Sequence, residues 1–220
     1  MLGQRAPRVL VLDGLNDVPA FAVAPAAHLL AALAPQYPVG SVFLAIVDPG
    51  VGGARRAIVV EAEGRHFVGP DNGLMSVVWQ RARRRRCHEV AWRPARLSAS
   101  FHGRDLFAPV AAAIAVGRVP RGWLRKADAP AVRLPAEDCY QVVYIDHYGN
   151  AMTGVRASAV RRDAHLVVGR RRLPFARTFV EAKGPFWTEN SLGLVEIAVP
   201  CDHAASRLGL RVGQRIRIAR

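Results

Sequence analysis

The segment "IVDPGVGGARR", residues 46–56, places one carboxylate, Asp48, between an apolar run and a stretch with a proline and three glycines. The proline and glycines leave backbone amides free to approach a ligand, and Arg55, seven residues on, could fold back toward the acid. Open α/β sheets bind ligands at the carboxyl ends of their strands, where Asp48 is expected. Alternatively, Asp48 only caps the turn and the arginines are solvated. The segment is no P-loop, because the Lys-Ser/Thr ending is missing.

A second candidate site is "SFHGRDLFAP", where His102, Arg104 and Asp105 lie within four residues, beside Phe101 and Phe107. A neutral histidine near an arginine can orient a water molecule or transfer a proton. The alternative reading makes Asp105 a helix cap paired with Arg104, and it leaves His102 without a role.

Three further motifs place polar side chains in glycine-containing turns: "FVGPDNGLM", "YIDHYGNAM" and "TENSLGLVE". The first is primarily a turn and helix N-cap, and the other two follow the ends of strands. Each motif alone is a weak indication of a site. Their polar residues are Asp71, Asn72, Asp146, Asn150, Asn190 and Ser191.

An alternation of strands and helices up to about residue 124 must position the first two motifs. "RVLVLDGL" and "SVFLAIVD" predict strands, the second apolar enough to be central and parallel, and "AFAVAPAAHLLAALAPQY" predicts a helix between them. "AIVVEAEGRHFVGP" predicts two strands around the turn at Glu63 and Gly64. "GLMSVVWQRA" and "GRDLFAPVAAAIAVG" predict two more helices, the last ended by Gly117. The fold class is therefore α/β.

The chain is expected to have two domains. Residues 1–124 form the α/β domain, the proline-containing stretch 125–137 reads as a linker, and residues 138–220 form a second, β-rich domain. Short strands are predicted there in "YQVVYIDHYGN", "HLVVGRRRL", "LGLVEIAV" and "QRIRIA".

Composition limits the possible function classes. The apolar stretches are too short to cross a bilayer and no signal-type apolar segment follows the N-terminus, so we expect a soluble, cytoplasmic protein. The three cysteines, Cys87, Cys139 and Cys201, lie far apart without a C-x-x-C motif. This spacing predicts neither a zinc site nor a disulfide framework.

The chain is strongly basic: 31 lysines and arginines against 17 acids give a net charge of +14. Such a charge would suit nucleic acid or an anionic small molecule, but a bias toward arginine also arises from genomic base composition. The run "RARRRR", residues 81–86, reads as the solvated end of a helix, with a phosphate-binding patch as the alternative. No aromatic residues interleave with it to stack on bases.

The ordered set of motifs resembles one known family. "VDPGVGGARR", "FVGPDNGLM", "FHGRDLFAP", "IDHYGNAMT" and "NSLGLVEIAV" look like successive signatures of the S-adenosyl-L-methionine (SAM) hydrolases, also called SAM hydroxide adenosyltransferases. These enzymes are related to the fluorinases and chlorinases, and the resemblance runs from about Val9 to the C-terminus. It implies an N-terminal α/β sandwich-like domain followed by a small C-terminal β-barrel-like domain. It also implies a homotrimer, with the ligand between the N-terminal domain of one subunit and the C-terminal domain of the next.

The resemblance also implies a reaction and a site. Water attacks C5′ of the ribose of SAM and methionine leaves, giving adenosine, with Asp48, Arg55 and His102 positioning the water. By the same resemblance, adenosine and methionine are contacted by Asn72, Phe101, Asp146, Asn150, Asn190 and Ser191. The sulfonium is already a good leaving group, so an oriented, partly desolvated nucleophile is the main requirement. No metal and no redox cofactor is implied, since SAM is the substrate.

Two departures define the alternatives. The related halogenases lack an acid at the position of Asp48 and carry a halide-binding serine where this chain has Gly103; a carboxylate would repel halide, so a hydrolase is favoured. Family members also usually begin with a further strand and helix carrying a "TDFG"-like motif that holds the ribose, and Asp13 in "LDGL" resembles that aspartate only superficially. The chain is thus expected to be N-terminally short. A non-catalytic adenosine or SAM binder and a basic nucleic-acid-associated protein therefore stay open as alternatives.

Overall fold

The computed structural model describes residues 2–219, which divide into two compact units. The first unit runs to Ala136 and the second begins at Glu137. The first mixes helices with a sheet and the second consists mainly of strands, so the α/β class and the strand-rich second unit are confirmed.

A five-stranded sheet forms the centre of the first unit, in the order β1-β3-β2-β4-β5. The strands are β1 Val42–Leu44, β2 Ala57–Ala62, β3 Arg65–Pro70, β4 Arg85–Val90 and β5 Leu124–Ala127. β1 runs parallel to β3, and the other neighbours are antiparallel. β2 and β3 meet at Glu63 and Gly64, which both have positive φ, as a tight two-residue hairpin turn requires.

Helices cover both faces of this sheet. The helices are α1 Leu2–Arg5, α2 Val23–Leu33, α3 Ser76–Arg81 and α4 Ala108–Ala115, with a 3₁₀ turn at Ala34–Gln36. On one face α3, with part of α2, packs on apolar side chains that include Ile58, Val60 and Phe67. On the other face α4 packs on Val59 and Val68. Successive side chains of β2 pack alternately on the two faces of the sheet, which gives the unit two apolar layers.

Three sequence predictions for this unit were wrong. Arg8–Leu15, predicted as a strand, is irregular and exposes Leu10 and Leu12; within the described chain it has no ladder partner, and a strand requires one. β1 is parallel, as predicted, but lies at the edge of the sheet and not in its centre. The arginine run 81–86 is not the solvated end of a helix, because α3 ends at Arg81 and the run continues into β4.

The stretch predicted as a linker, residues 125–137, is for the most part built into the first unit. Its first residues belong to β5, which pairs with β4. Further on, the backbone N–H of Ala131 donates to the carboxylate of Asp71 at 3.0 Å, 60 residues away in sequence. Prolines and small side chains made the stretch resemble a linker, whereas long-range bonds hold it in place.

The second unit contains two antiparallel sheets around a shared apolar core. One has the order β10-β11-β7-β6 and the other β12-β8-β9. Large buried side chains, among them Trp187, Leu166 and Ile197, fill the core. The elements are β6 Cys139–Ile145, β7 Ala151–Arg156, β8 His165–Val168, β9 Arg171–Leu173, β10 Phe186–Glu189, β11 Leu194–Ala198, β12 Arg217–Ala219, helix α5 Ala204–Leu208 and a 3₁₀ turn at Ala157–Ala159.

No helix within residues 2–219 has the length and apolar character needed to cross a membrane.

The three cysteines are free thiols, and burial raises the pKa of Cys87 to about 11.

Candidate active site

The loop that follows β1 holds Asp48 and Arg55. After β1 the chain stays against β3, since the N–H of Ala45 donates to the carbonyl of Val68 at 3.0 Å, and it then turns away. Gly52 has φ +80°, and a β-carbon there would lie 2.6 Å from the carbonyl oxygen of Ala99. Because glycine has no β-carbon, the loop can lie directly against the backbone of Ala99, in the segment that leads to His102.

Arg55 folds back onto Asp48, as the spacing suggested. Its Nε lies 3.0 Å from Oδ1 and 3.1 Å from Oδ2 of Asp48, and its Nη2 also donates to Oδ2. Both side chains are largely buried, with 11% of Arg55 and 6% of Asp48 exposed. The Arg55 guanidinium also lies over the ring of Phe107, 5.1 Å from its centroid. A forked, partly desolvated ion pair of this kind fixes the orientation of the carboxylate.

His102 joins this pair through a ring nitrogen. Nη2 of Arg55 lies 3.0 Å from Nδ1 of His102, 47 residues away in sequence. Burial, and next the positive charge of Arg55, lower the pKa of His102 below its usual value. A guanidinium can only donate, so Nδ1 is the acceptor and the proton of the neutral ring is on Nε2.

A π-helical turn, Gly103–Phe107, carries the histidine into position directly before α4. The N–H groups of Arg104 and Asp105 both donate to the carbonyl of Phe101, at 3.1 and 3.0 Å. π-turns are rare and occur often at functional sites. His102, at the start of this turn, is buried, whereas the preceding residue Phe101 is 58% exposed.

The alternative interpretation of this segment is correct in pairing Asp105 with Arg104 but wrong in making Asp105 a helix cap, because Asp105 lies inside the π-helical turn and neither this turn nor α4 has a side-chain cap. Its carboxylate pairs with Arg104 at 2.6 Å and accepts the N–H of Ser98 at 3.2 Å. Arg104 also stacks over Phe101, 4.9 Å from the ring centroid. The pair is structural, and it coexists with the separate contact between His102 and Arg55.

Asn72 ties the turn after β3 to the loop after β1. Its Nδ2 donates to the carbonyl of Val47, the residue before Asp48, at 2.7 Å. Its Oδ1 accepts the N–H of Leu74 at 3.2 Å. In the structure Asn72 therefore supports the placement of Asp48. The neighbouring Asp71 is buried and forms an ion pair with Arg56, at 2.6 Å.

In the second unit, Asp146 and Asn150 close the glycine turn between β6 and β7. The backbone N–H of Asn150 donates to Oδ1 of Asp146 at 2.8 Å, and its Nδ2 donates to Oδ2 at 3.2 Å. Asn150 is buried, although it lies in a turn.

Asn190 closes the turn between β10 and β11, and Ser191 beside it is exposed. The sequence prediction missed Glu196 on β11, which is 6% exposed and accepts from Nδ2 of Asn190 at 3.1 Å. Burial is the main cause that raises the pKa of Glu196, and the charge of Asp146 adds to it. The only available signal was an acid within the apolar run "LGLVEIAV".

The structure thus groups Asp48, Arg55, His102 and Asn72 within the first unit. It groups Asp146, Asn190 and Glu196 within the second, with Asn150 bonded to Asp146. The catalytic and ligand-binding roles of these residues stay predictions.

Comparisons with known proteins agree on one family. Residues 1–122 match the model of the SAM hydroxide adenosyltransferase N-terminal domain, and residues 140–217 match that of the C-terminal domain. The chain is 37% identical over 238 residues to the (R)-S-adenosyl-L-methionine hydrolase of Thermus thermophilus, covering 99% of the chain and 91% of that protein. A protein of the same name from Salinispora arenicola is 37% identical over 237 residues, covering 99% of the chain and 89% of that protein.

A solved structure supports the same relationship. An uncharacterized conserved protein from Thermotoga maritima superposes with a TM-score of 0.87 at 28% identity, covering all of this chain and 92% of the other. Both family models and near full-length relatives therefore match, and the chain belongs to the SAM hydroxide adenosyltransferase family.

Proposed function

We propose that this protein hydrolyses SAM to adenosine and L-methionine. The observation that carries the proposal is the linked set of Asp48, Arg55 and His102, in a chain 37% identical to proteins named as hydrolases of (R)-S-adenosyl-L-methionine. The water oxygen forms a bond to C5′ while the C5′–S bond breaks, and the bonding pair stays on sulfur. The sulfonium charge is thereby neutralised, and one proton from water is released.

The proposed role of the three residues is to orient the water. The carboxylate of Asp48 accepts a hydrogen bond from water, and the Nε2–H of His102 donates one to the water oxygen. Arg55 holds both partners in place, and its positive charge balances that of Asp48. A water molecule held in this way has already lost the orientational entropy that free water would lose on reaching the transition state, so the activation barrier is lower.

We further propose that the reaction uses no cofactor or metal. Carbon, sulfur and oxygen keep closed electron shells, the leaving group is neutral methionine, and water supplies the nucleophile. No electron or hydride is transferred.

We propose that the substrate is contacted by Asn72, Phe101, Asp146, Asn150, Asn190 and Ser191, as the resemblance implies. The same resemblance supports a homotrimer of roughly 70 kDa, three times the 23.9 kDa chain, in which the ligand site is shared between subunits. We also propose a cytoplasmic location, which the free thiols favour. Light scattering of the purified protein tests the trimer, and a stable monomer would contradict it.

The test of the function is incubation with each sulfonium epimer of SAM, followed by chromatography for adenosine and methionine. Equimolar formation of both products supports the proposal, and we expect the (R) epimer to react, given the names of the relatives. Binding of SAM without product would instead support the non-catalytic alternative. Salt-dependent binding of DNA without binding of SAM would support the nucleic-acid alternative.

A parallel incubation with chloride or fluoride tests the halogenase alternative. Formation of a 5′-halogenated adenosine in place of adenosine would contradict the proposal. This chain has Gly103 at the position of the halide-binding serine of that alternative.

A further inference from the structure

Glu196 is a buried acid with no part in the water chemistry proposed above. It lies in the centre of β11, between Thr188 of β10 and Met152 of β7 in the strand register. Its carboxylate accepts a hydrogen bond from Nδ2 of Asn190, and Asp146 is the charged group that acts on it. Burial of an acid is costly unless hydrogen bonds compensate it, so this position requires a physical reason.

The amide of Asn190 is held at both ends. Its Oδ1 accepts the backbone N–H groups of Leu192 and Leu194, each at 3.0 Å. Its Nδ2 gives one hydrogen to Glu196. An asparagine amide has two N–H donors and two acceptor lone pairs, so, among the residues that the structure describes, a single N–H of Asn190 is left over.

The reverse orientation of this amide is disfavoured. A flipped amide would place its NH₂ group against the two backbone N–H groups of Leu192 and Leu194, and its oxygen against the carboxylate of Glu196. Both contacts would be repulsive, and in a half-buried turn such unmade bonds are expensive. The backbone of the turn and Glu196 therefore select the same orientation.

We propose that Glu196 is a positioning residue that makes Asn190 a pure donor, so that Asn190 recognises an acceptor atom of the ligand. The inference rests on the proposed function, which takes Asn190 as a ligand contact. In SAM the acceptors are the ring nitrogens of adenine, the ribose oxygens and the methionine carboxylate. The ammonium group and the 6-amino group of adenine, which only donate, are excluded as partners of Asn190.

The decisive experiment exchanges the donor and the acceptor between positions 190 and 196. In Asn190→Asp the ligand-facing donor is lost and two carboxylates face each other, so both thermal stability and affinity for SAM should fall. In the double variant Asn190→Asp/Glu196→Gln, the glutamine NH₂ can donate to the new aspartate, so Tm should recover toward the wild-type value. The affinity for SAM should stay about tenfold or more below wild type, because an acceptor then faces an acceptor.

Two variants of Glu196 test its own role. Glu196→Gln keeps an oxygen that can accept from Asn190, whereas Glu196→Leu removes it. We expect the leucine variant to raise KM for SAM by about tenfold with a much smaller change in kcat, and the glutamine variant to raise it far less. Titration calorimetry and steady-state kinetics measure these effects.

Recovery of SAM affinity together with Tm in the double variant would overturn the proposal, since the pair would then be purely structural. An equal loss of affinity in Glu196→Gln and Glu196→Leu would also overturn it, because the charge and not the acceptor would matter. If the wild type binds SAM without hydrolysing it, the proposed function fails. The affinities of the variants for SAM then still decide whether Asn190 acts as a pure donor toward the ligand. If the wild type binds neither SAM nor its products, both proposals fail.

Discussion

Nη2 of Arg55 lies 3.0 Å from Nδ1 of His102, and this contact determines which nitrogen of the ring carries the proton. Because Arg55 always donates, His102 keeps its proton on Nε2 and offers a donor, while Asp48 offers an acceptor. A water molecule that accepts from the first and donates to the second has one defined direction for attack. In the proposed mechanism, His102 therefore orients the water, and it is not the base that removes the proton.

The first prediction concerns Asp48. Asp48→Asn is nearly isosteric but removes the charge and one acceptor, so we expect SAM turnover to fall by roughly 10²- to 10³-fold, as for other preorganised polar contacts at reacting groups. The protein should remain folded by circular dichroism. Asp105→Asn is the matched control, since that acid is close in sequence to His102 but pairs with the exposed Arg104. Turnover near the wild-type level in Asp48→Asn would contradict the proposed role of the aspartate.

The second prediction concerns pH. The pKa of His102 is lowered from its ordinary value of 6.5, chiefly by burial and next by Arg55, so the ring is neutral at pH 7. Protonation would take away the acceptor at Nδ1 and place two cations together. kcat/KM should therefore be constant near neutral pH and fall as pH drops through the lowered pKa, below 6.5.

The same shift has a consequence for stability. In the unfolded chain this histidine binds its proton at the ordinary pKa, whereas in the folded protein it does so only at lower pH. Between these values the unfolded state binds more protons, so the free energy of unfolding decreases as pH falls. The His102→Gln variant cannot titrate there, and its residual activity and its stability should both lack this acid-side decrease. An unchanged profile in that variant would assign the titration to another group.

Local parts of the site could be predicted from the sequence, because they depend on short-range geometry. The seven-residue spacing of Asp48 and Arg55, with glycines between them, suggested that the arginine folds back, and Arg55 does contact the acid. The helical periodicity before Gly117 and the hairpin at Glu63 and Gly64 were likewise readable. Such features need only local backbone preferences and side-chain patterns.

Features that depend on partners distant in sequence could not be predicted. In the sequence, Glu196 looks like an ordinary polar position of a strand. Only the fold shows that Asn190 and the neighbouring strands enclose its carboxylate. Arg8–Leu15 has the pattern of a strand, but the pattern cannot show whether a neighbour exists to pair with it. The arginines at the start of β4 did not indicate a strand in the sequence, because their side chains are exposed. Only the pairing of β4 with β2 and β5 shows that this segment is a strand.

The third prediction concerns the loop glycine, Gly52. An added β-carbon would lie 2.6 Å from the carbonyl oxygen of Ala99 and would also have to adopt φ +80°. Gly52→Ala should therefore displace the loop that carries Asp48 and Arg55 and lower kcat by an amount comparable with Asp48→Asn. The matched control is Gly40→Ala, where φ is +90° but nothing lies within 4 Å of the added carbon.

The control carries the backbone strain alone, about 1 to 2 kcal/mol, without the collision. Thermal melting and SAM turnover of the two variants separate the strain from the displacement of the site. Equal activities in Gly52→Ala and Gly40→Ala would show that the approach to Ala99 does not matter for catalysis.

The last prediction concerns the buried ion pair of Asp71. Its carboxylate is 1% exposed, and it accepts two bonds from Arg56 and the backbone N–H of Ala131, joining the turn after β3 to the stretch after β5. Asp71→Ala would leave a half-buried guanidinium and the backbone N–H of Ala131 without their partner, and each donor left unsatisfied in this way costs roughly 1 to 3 kcal/mol. Chemical denaturation should show a lower midpoint at an unchanged slope.

Asp163→Ala is the comparison for that variant, because Asp163 pairs with Arg161 at 2.6 Å with both side chains largely in solvent. Solvent screens an exposed pair, so its loss should leave the midpoint nearly unchanged. A similar midpoint for Asp71→Ala would mean that the other contacts of this segment suffice, among them the hydrogen bond that Ser76 Oγ donates to the carbonyl of Val132 at 2.9 Å. The carboxylate of Asp71 would then be dispensable for the fold.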